Sequence, residues 1–354
     1  MIEKFIKERT GTTIGEIKEK IDEKVPTALA REFFFALGGI PLVCFVIQIV
    51  TGLILSCYFI NYSGITGSGF SAAYVSVKNM TSVFPVLNYI RGIHQLSANI
   101  MIVSLFLHML RVFFTESYRK PRELIWVCGM LLFFTTFGLG FTGYALVGDQ
   151  LSYWATQVGT NIAGATPFIG GFIRKLMLAG EEINVYTLPR FFILHVLVLP
   201  FMVMIPLIGM HLLITRSHGI SYTGTGKTKK SYYSLVPHHI FNEYKIMWVL
   251  LIGFLAVVYF YPPTIGEPAN SFVTPEHIKP EWYFYPMFHF LKLVSFEIGI
   301  ISILATSAIM VVWPLVQTGL EAVIPYKAAK VIAFTLGTGF MLICIVFAIL
   351  EAIH

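Results

Sequence analysis

Two histidines, His94 and His108, stand fourteen residues apart at the ends of the apolar run HQLSANIMIVSLFLH. In an α-helix that interval is nearly four whole turns and a rise of about 21 Å, so both imidazoles share one face at opposite ends of the run. A second pair, His195 and His211, occupies RFFILHVLVLPFMVMIPLIGMHLLITR. Neutral imidazole is an axial ligand for haem iron, and a bundle of helices can hold a porphyrin between facing members. For any one of these histidines the plain alternative is a polar residue satisfied by a neighbouring hydroxyl or carbonyl. If the two runs cross in the same sense, His94 levels with His195 and His108 with His211, and two depth-matched pairs point to two stacked haems.

The second pair carries an anomaly. Its members are sixteen residues apart, which turns them about 160° away from each other in an ideal helix. Pro200 and Pro206 lie between them, and a π-bulge or proline kink can absorb extra residues, so the spacing predicts such a distortion. His218 lies too far along to replace His211. Arg91, Arg111 and Arg190 sit three to five residues from a proposed ligand, where a guanidinium can pair with a haem propionate or simply reach the interface. Gly38, Gly52, Gly92, Ser97, Ala98, Gly138, Gly140 and Gly143 are small enough to admit flat rings, though such residues also serve ordinary helix packing.

The elements that must position these residues are membrane helices. The chain has 354 residues, 56% hydrophobic and 12% charged, with a mean hydropathy of +0.74. Seven apolar stretches can cross a hydrocarbon core: roughly 34–60, 92–114, 123–146, 187–215, 246–262, 294–316 and 328–350. The expected fold is an all-α integral membrane protein, with a four-helix haem-binding bundle over 34–220 and a three-helix block over 221–354. Residues 1–33 read as an amphipathic segment at the surface. Most Lys and Arg residues fall on the side of this N-terminus, which places it in the cytoplasm; a bacterial inner (plasma) membrane is the expected location. The formal charge of +6 thus reports topology and gives no reason to invoke nucleic acid. The four cysteines, Cys44, Cys57, Cys128 and Cys344, form no CxxC or CxxCH and read as buried apolar thiols; no covalent c-type haem is expected. The loops holding NYSGITGSGF, DQLSYWATQVGTNIAGATPFIG and TPEHIKPEWYFYP share the opposite face and suggest short interfacial helices there.

Together the histidine pairs, QIVTG in the first span, KPRELIWVCG, GDQLSYW and above all PEWYFYP at 280–286 resemble cytochrome b of the cytochrome bc complexes, over nearly the whole chain. FFALGGIPLVCF and IGEPANSFVTPEHIKPEWYF look more like the split plastid form, joined here in one polypeptide. That form carries an extra haem on a cysteine where this chain has Ala36. Val147 and Gly148 replace a Pro-Trp pair usual in the family, altering one wall of the outer quinol pocket, and Gln95 replaces a basic residue of the plastid form.

The resemblance implies a quinol:cytochrome c oxidoreductase subunit with two non-covalent b haems, His94/His195 outside and His108/His211 inside. Quinol oxidised at the outer face sends one electron to a Rieske iron–sulfur partner and the other across both haems to quinone at the inner face, with proton translocation. A c-type cytochrome subunit, the lipid bilayer and a homodimeric complex complete the implied setting. Removing two protons from a quinol needs a carboxylate; Glu281 fits, with Tyr283 and Tyr144 positioning substrate and water. Trp154 and Ala155 are expected to shape the pocket or the Rieske docking surface. Arg216, His218 and Glu243 are the candidates for proton supply at the inner site. His238, His239, His277, His289 and His354 lack a depth-matched partner and read as interfacial. Two other classes compete. A dihaem anchor passing electrons from a dehydrogenase to quinone would lack PEWY and three extra spans; a transporter relaying protons through buried histidines would hold no haem.

Overall fold

The computed structural model describes residues 24–26, 37–67, 69–218, 232–234, 238, 240–276 and 278–353. The expected surface segment 1–33, apart from 24–26, lies outside them, as do Ala36, His239, His277 and His354. Seven helices are long and apolar enough to span a bilayer. In chain order they are α1 (Gly39–Ser56), α3 (Pro85–Phe114), α4 (Glu123–Tyr144), the composite span Thr187–His218, α9 (Ile240–Phe260), α11 (Phe296–Val323) and α12 (Tyr326–Ile353). Short helices lie between them: α2 (Ala72–Ser82), α5 (Gln150–Gly164), α6 (Gly170–Leu178) and α10 (Tyr285–Leu293). Two three-residue strands, β1 (Lys24–Pro26) and β2 (Tyr232–Ser234), pair antiparallel.

Local chemistry sets several boundaries. Pro85 opens α3 at a position where its missing N–H costs nothing. Asp149 caps α5 by accepting the Ser152 N–H at 2.9 Å, and Ser71 does the same for α2 through Tyr74. α3 starts about two turns before the hydropathy run, at Pro85.

The fourth span contains the expected distortion. It runs as α7 (Thr187–Ile193), a π-helix over Leu194–Met204, and α8 (Ile205–His218). Its last bond runs from the Ile205 N–H to the Pro200 carbonyl, five residues back. An i→i+5 helix winds roughly 4.4 residues per turn, so ten residues of it lag an α-helix by about 180°. That cancels the 160° error of the sixteen-residue interval, and His195 and His211 return to one face.

Helix packing places these spans. α1 lies along α3, α4 packs against α8 and the π segment, α9 leans on α3 and α1, and α11 leans on α4. Val43, Phe45, Ile47, Ile93, Met101, Leu132 and Met204 form one core that takes in Phe254 and Val258 of α9. A second core joins Phe113, Tyr118, Trp126 and Phe133 to Trp313 of α11 and Ala333 of α12. Gly92 admits Val258 and Pro263, and Gly138 abuts Leu199; these two glycines serve helix packing rather than a flat ring. Cys44 and Cys128 are buried as expected, but Cys57 is exposed: α1 ends one residue before it, leaving its thiol to donate to the Leu53 carbonyl at 3.3 Å.

The turn between α3 and α4 is locked to the last two helices by charge. Glu116 accepts from Arg119 (3.0 Å), Lys330 (2.7 Å) and Tyr326 (2.7 Å), and Arg119 also pairs with Glu321 at 2.6 Å. Burial pushes the Glu116 carboxyl up, but hydrogen bonds from Lys330, Tyr326 and Arg119 more than reverse this and hold it below its ordinary 4.5. Its contribution is therefore present above pH 4.5 and lost as pH falls through the lower folded value. Glu116→Gln is expected to destabilise the protein by about 1–2 kcal/mol at pH 7, read as a lower thermal midpoint in detergent, with the difference from wild type vanishing in acid.

Candidate functional site

The two imidazole pairs come together as the spacing predicts. At one end of the bundle, here called upper, the His94 and His195 rings face each other with centroids 6.2 Å apart and planes at 74°. They line a cavity of about 520 Å³. At the lower end His108 and His211 line a second cavity of about 200 Å³ with Arg111, Tyr118 and Trp126.

The fit to haem can be tested on this geometry. With metal–nitrogen bonds of about 2.0–2.1 Å and each ring centre roughly 1.1 Å behind its bonding nitrogen, two imidazoles on one ion stand about 6.2–6.4 Å apart. The upper pair matches. Among the described residues no three His, Cys, Asp or Glu side chains cluster to hold a metal, so an ion between two histidines must bring its own equatorial ligands, as a porphyrin does. Glycines complete the cradle. A Cβ on Gly52 would meet His94 Cε1 at 3.2 Å, and one on Gly143 would meet His195 Cε1 at 2.8 Å. Gly38 stands equally close to His108, at 3.2 Å, and Gly129 to His211, at 3.4 Å. Each histidine thus has a glycine at its side, two from α4, one from α1 and one from the residue just before α1.

The upper cavity also brings in residues from far along the chain. Glu281 and Tyr283 line it together with Tyr144, Asp149 and Arg91. A Cβ on Gly140 would sit 2.8 Å from the Tyr283 hydroxyl, so this glycine makes room for a tyrosine. Trp282 fixes the PEWY turn to α3 by donating to Asn99 Oδ1 at 2.8 Å. Burial, and then the Asp149 charge, hold the Glu281 carboxyl above its usual range; burial and the Glu281 charge likewise raise the Tyr283 phenol. A buried carboxyl held above its usual range is suited to exchanging a proton with a bound hydroxyl.

The chain matches the family model "Cytochrome b(N-terminal)/b6/petB" over residues 99–286 and "Cytochrome b(C-terminal)/b6/petD" over 268–353. It belongs to the cytochrome b family. The cytochrome bc complex cytochrome b subunit of Chlorobaculum thiosulfatiphilum is 39% identical over 296 residues, 81% of this chain and 66% of that one. Cytochrome b6 of Heliobacterium mobile is 39% identical over 208 residues, 59% of this chain and 94% of its own length, and cytochrome b of Candida albicans 31% over 324, 89% and 80%. Among solved structures, a chain of a hyperthermophilic respiratory Complex III superposes with a TM-score of 0.74 at 26% identity, covering 98% of this chain and 96% of that one. This cytochrome b is thus an integral membrane protein of electron transport, of a haem-binding oxidoreductase family.

Other predicted residues scatter. Arg91 lines the upper cavity, yet its NH2 is spent on the loop carbonyls of Pro263 (2.8 Å) and Thr264 (3.1 Å). Arg190 points away from the cavity and donates to the Leu176 carbonyl at 2.5 Å. Arg111 does face the lower cavity. Arg216 and His218 are exposed and outside its wall; His218 Nδ1 lies 3.0 Å from the Ile214 carbonyl. Glu243 packs against Gly39, next to Gly38. Trp154 bonds Gln150 at 3.1 Å beside the upper cavity rather than in its wall. At Gly148, φ is +79° and a Cβ would press on the Tyr74 backbone nitrogen at 3.0 Å, so the residue replacing an indole lets α2 close over this wall. His238 bonds Ser234 at 2.6 Å, and His289 bonds Glu351 at 3.0 Å.

Gly129 was not singled out from the sequence. The signal was there: it precedes Gly143 by fourteen residues, as Gly38 precedes Gly52 and His94 precedes His108.

Proposed function

We propose that this cytochrome b is the dihaem, quinol-oxidising subunit of a respiratory bc-type complex, with His94/His195 and His108/His211 as axial pairs and no covalent c-type haem. The observation that carries the reading is the upper cavity, where one histidine pair and the PEWY residues Glu281 and Tyr283 share a wall. Haem bound at the two levels supplies one-electron chemistry, so that quinol oxidation at one face, split with a Rieske protein, is joined to quinone reduction at the other. The N-terminus and the lower cavity face the cytoplasm in this reading, a c-type cytochrome takes the Rieske electron, and the complex is a homodimer that moves protons across the membrane.

The residues of the chain do the rest. Glu281 accepts a quinol proton once ionised and hands it toward water. Tyr283, held by Gly140 and Phe137 (rings 5.8 Å apart), and Tyr144 orient the hydroxyl. Arg111, in the lower cavity wall, would pair with a propionate or a quinone oxygen, Glu243 and His218 would supply protons from the surface there, and Arg216 would hold an anionic group beside them.

The deciding experiment is the haem-to-polypeptide ratio of the detergent-purified protein by pyridine haemochrome. Two extractable b haems and none covalently bound are expected. No haem would sink the reading in favour of a proton-relaying transporter. Two haems without quinol:cytochrome c reductase activity in the assembled complex would favour a dihaem anchor serving a dehydrogenase. A further expectation concerns the π segment. Deleting Leu197 and Val198 together with Pro200→Ala restores a fourteen-residue interval and a plain α-helix, and should keep both haems; loss of the lower haem would show that the segment does more than correct register.

A further inference from the structure

The glycine beside each histidine is preceded by a residue that differs between the two levels. The upper level has Thr51-Gly52 and Thr142-Gly143, whereas the lower has Leu37-Gly38 and Cys128-Gly129. The Thr51 hydroxyl donates to the Ile47 carbonyl at 2.6 Å, one turn back. With its hydrogen so used, its oxygen accepts the Nδ1–H of His94 at 2.8 Å. Thr142 repeats the pattern, donating to the Gly138 carbonyl at 2.8 Å and facing His195 Nδ1 at 3.2 Å. A proton fixed on Nδ1 leaves the Nε2 lone pair for the cavity, the form in which imidazole binds a metal.

At the lower level leucine and cysteine offer no hydroxyl in the same places, and no side chain bonds the buried His211 Nδ1. For the two fourth-span histidines the backbone does not make the difference, since the Leu139 carbonyl serves His195 and the Ile125 carbonyl serves His211. A histidine whose Nδ1–H is bonded to an acceptor gains imidazolate character and becomes a stronger donor. Such a ligand favours the ferric over the ferrous ion.

We propose that Thr51 and Thr142 are positioning residues that lower the reduction potential of the upper haem relative to the lower one, so that an electron received from quinol at the upper level moves downhill to the lower. The proposal rests on the two-haem reading given above. Wall charges push the same way, with Arg111 and Arg122 on the lower cavity and Arg91 opposed by Asp149 on the upper, so the wild-type difference alone does not separate the causes. Variants do.

The test is a potentiometric titration of both haems in the purified protein, the upper component being the one missing from His195→Leu. Thr51→Val keeps the shape and removes the hydroxyl. It should raise the reduced-to-oxidised ratio of the upper haem about tenfold at a fixed potential, about 59 mV for a one-electron couple, and leave the lower haem unmoved. Thr51→Ser should restore the wild-type value. If Thr51→Val fails to retain the upper haem, Thr142→Val, whose histidine keeps the Leu139 carbonyl, should give a smaller shift in the same direction. An unmoved upper component, or equal shifts of both, overturns the proposal while two haems per chain leave the parent reading standing; a wild-type protein without haem overturns both.

Discussion

Replacing His195 by leucine should leave a protein with one extractable b haem per chain in place of the two proposed. The two rings of the upper pair, 6.2 Å apart, are its whole supply of metal donors, since no third ligating side chain clusters there among the described residues. Removing one would therefore halve the axial ligation, and among the described residues no other histidine lines this cavity. His211→Leu should cost the lower haem alone, and the difference spectrum of each variant should lose a different component. Gly143→Ala is expected to do at the upper level what His195→Leu does. Its added methyl would lie 2.8 Å from His195 Cε1, and the rigid α4 backbone on one side and the ligated ring on the other leave little room to relax. Retention of two haems by both upper-level variants would mean that this pair does not hold a metal.

Glu281→Gln should leave haem content intact and lower quinol oxidation by about 10²–10⁴-fold, the range for loss of a positioned general base. The pH profile gives the sharper readout. Burial and the Asp149 charge raise the Glu281 carboxyl, so it holds its proton to higher pH than an ordinary glutamate. The ionised, proton-accepting form grows as pH rises, and the wild-type rate should climb through this raised value and then level. The Gln variant lacks that limb. Asp149→Asn keeps a side chain able to cap α5 but removes the charge, so its limb should move to lower pH. A Gln variant with the wild-type rate, or with the same rising limb, would take Glu281 out of the proton transfer.

Periodicity carried much of this arrangement. Fourteen- and sixteen-residue intervals were enough to level the four histidines and to require a distortion near Pro200, because register in a helix is arithmetic. PEWY could be assigned to the proposed quinol pocket only by resemblance, because nothing in its spacing tells which cavity a turn between spans will face. Side-chain direction at span ends was the least legible. Arg91 and Arg190 sit at similar distances from a histidine, yet one lines the cavity while bonding loop carbonyls and the other turns to the Leu176 carbonyl. Long flexible side chains settle on whichever acceptors the loops bring, and loops follow no period. Thr51 and Thr142 escaped notice for a related reason, since a hydroxyl inside an apolar helix is usually satisfied by its own backbone. Here it is so satisfied and still has lone pairs to offer.

The π-helix over Leu194–Met204 gives the two faces of the bundle unequal stiffness. His94 and His108 are set by one unbroken α-helix, a ruler whose length cannot change without breaking its hydrogen bonds. His195 lies within the looser winding and His211 beyond it, so any mismatch between the levels relaxes in that segment first. The fourth span is therefore the jaw of a clamp in which a mismatch between the two levels would be taken up, while α3 is the jaw of fixed length.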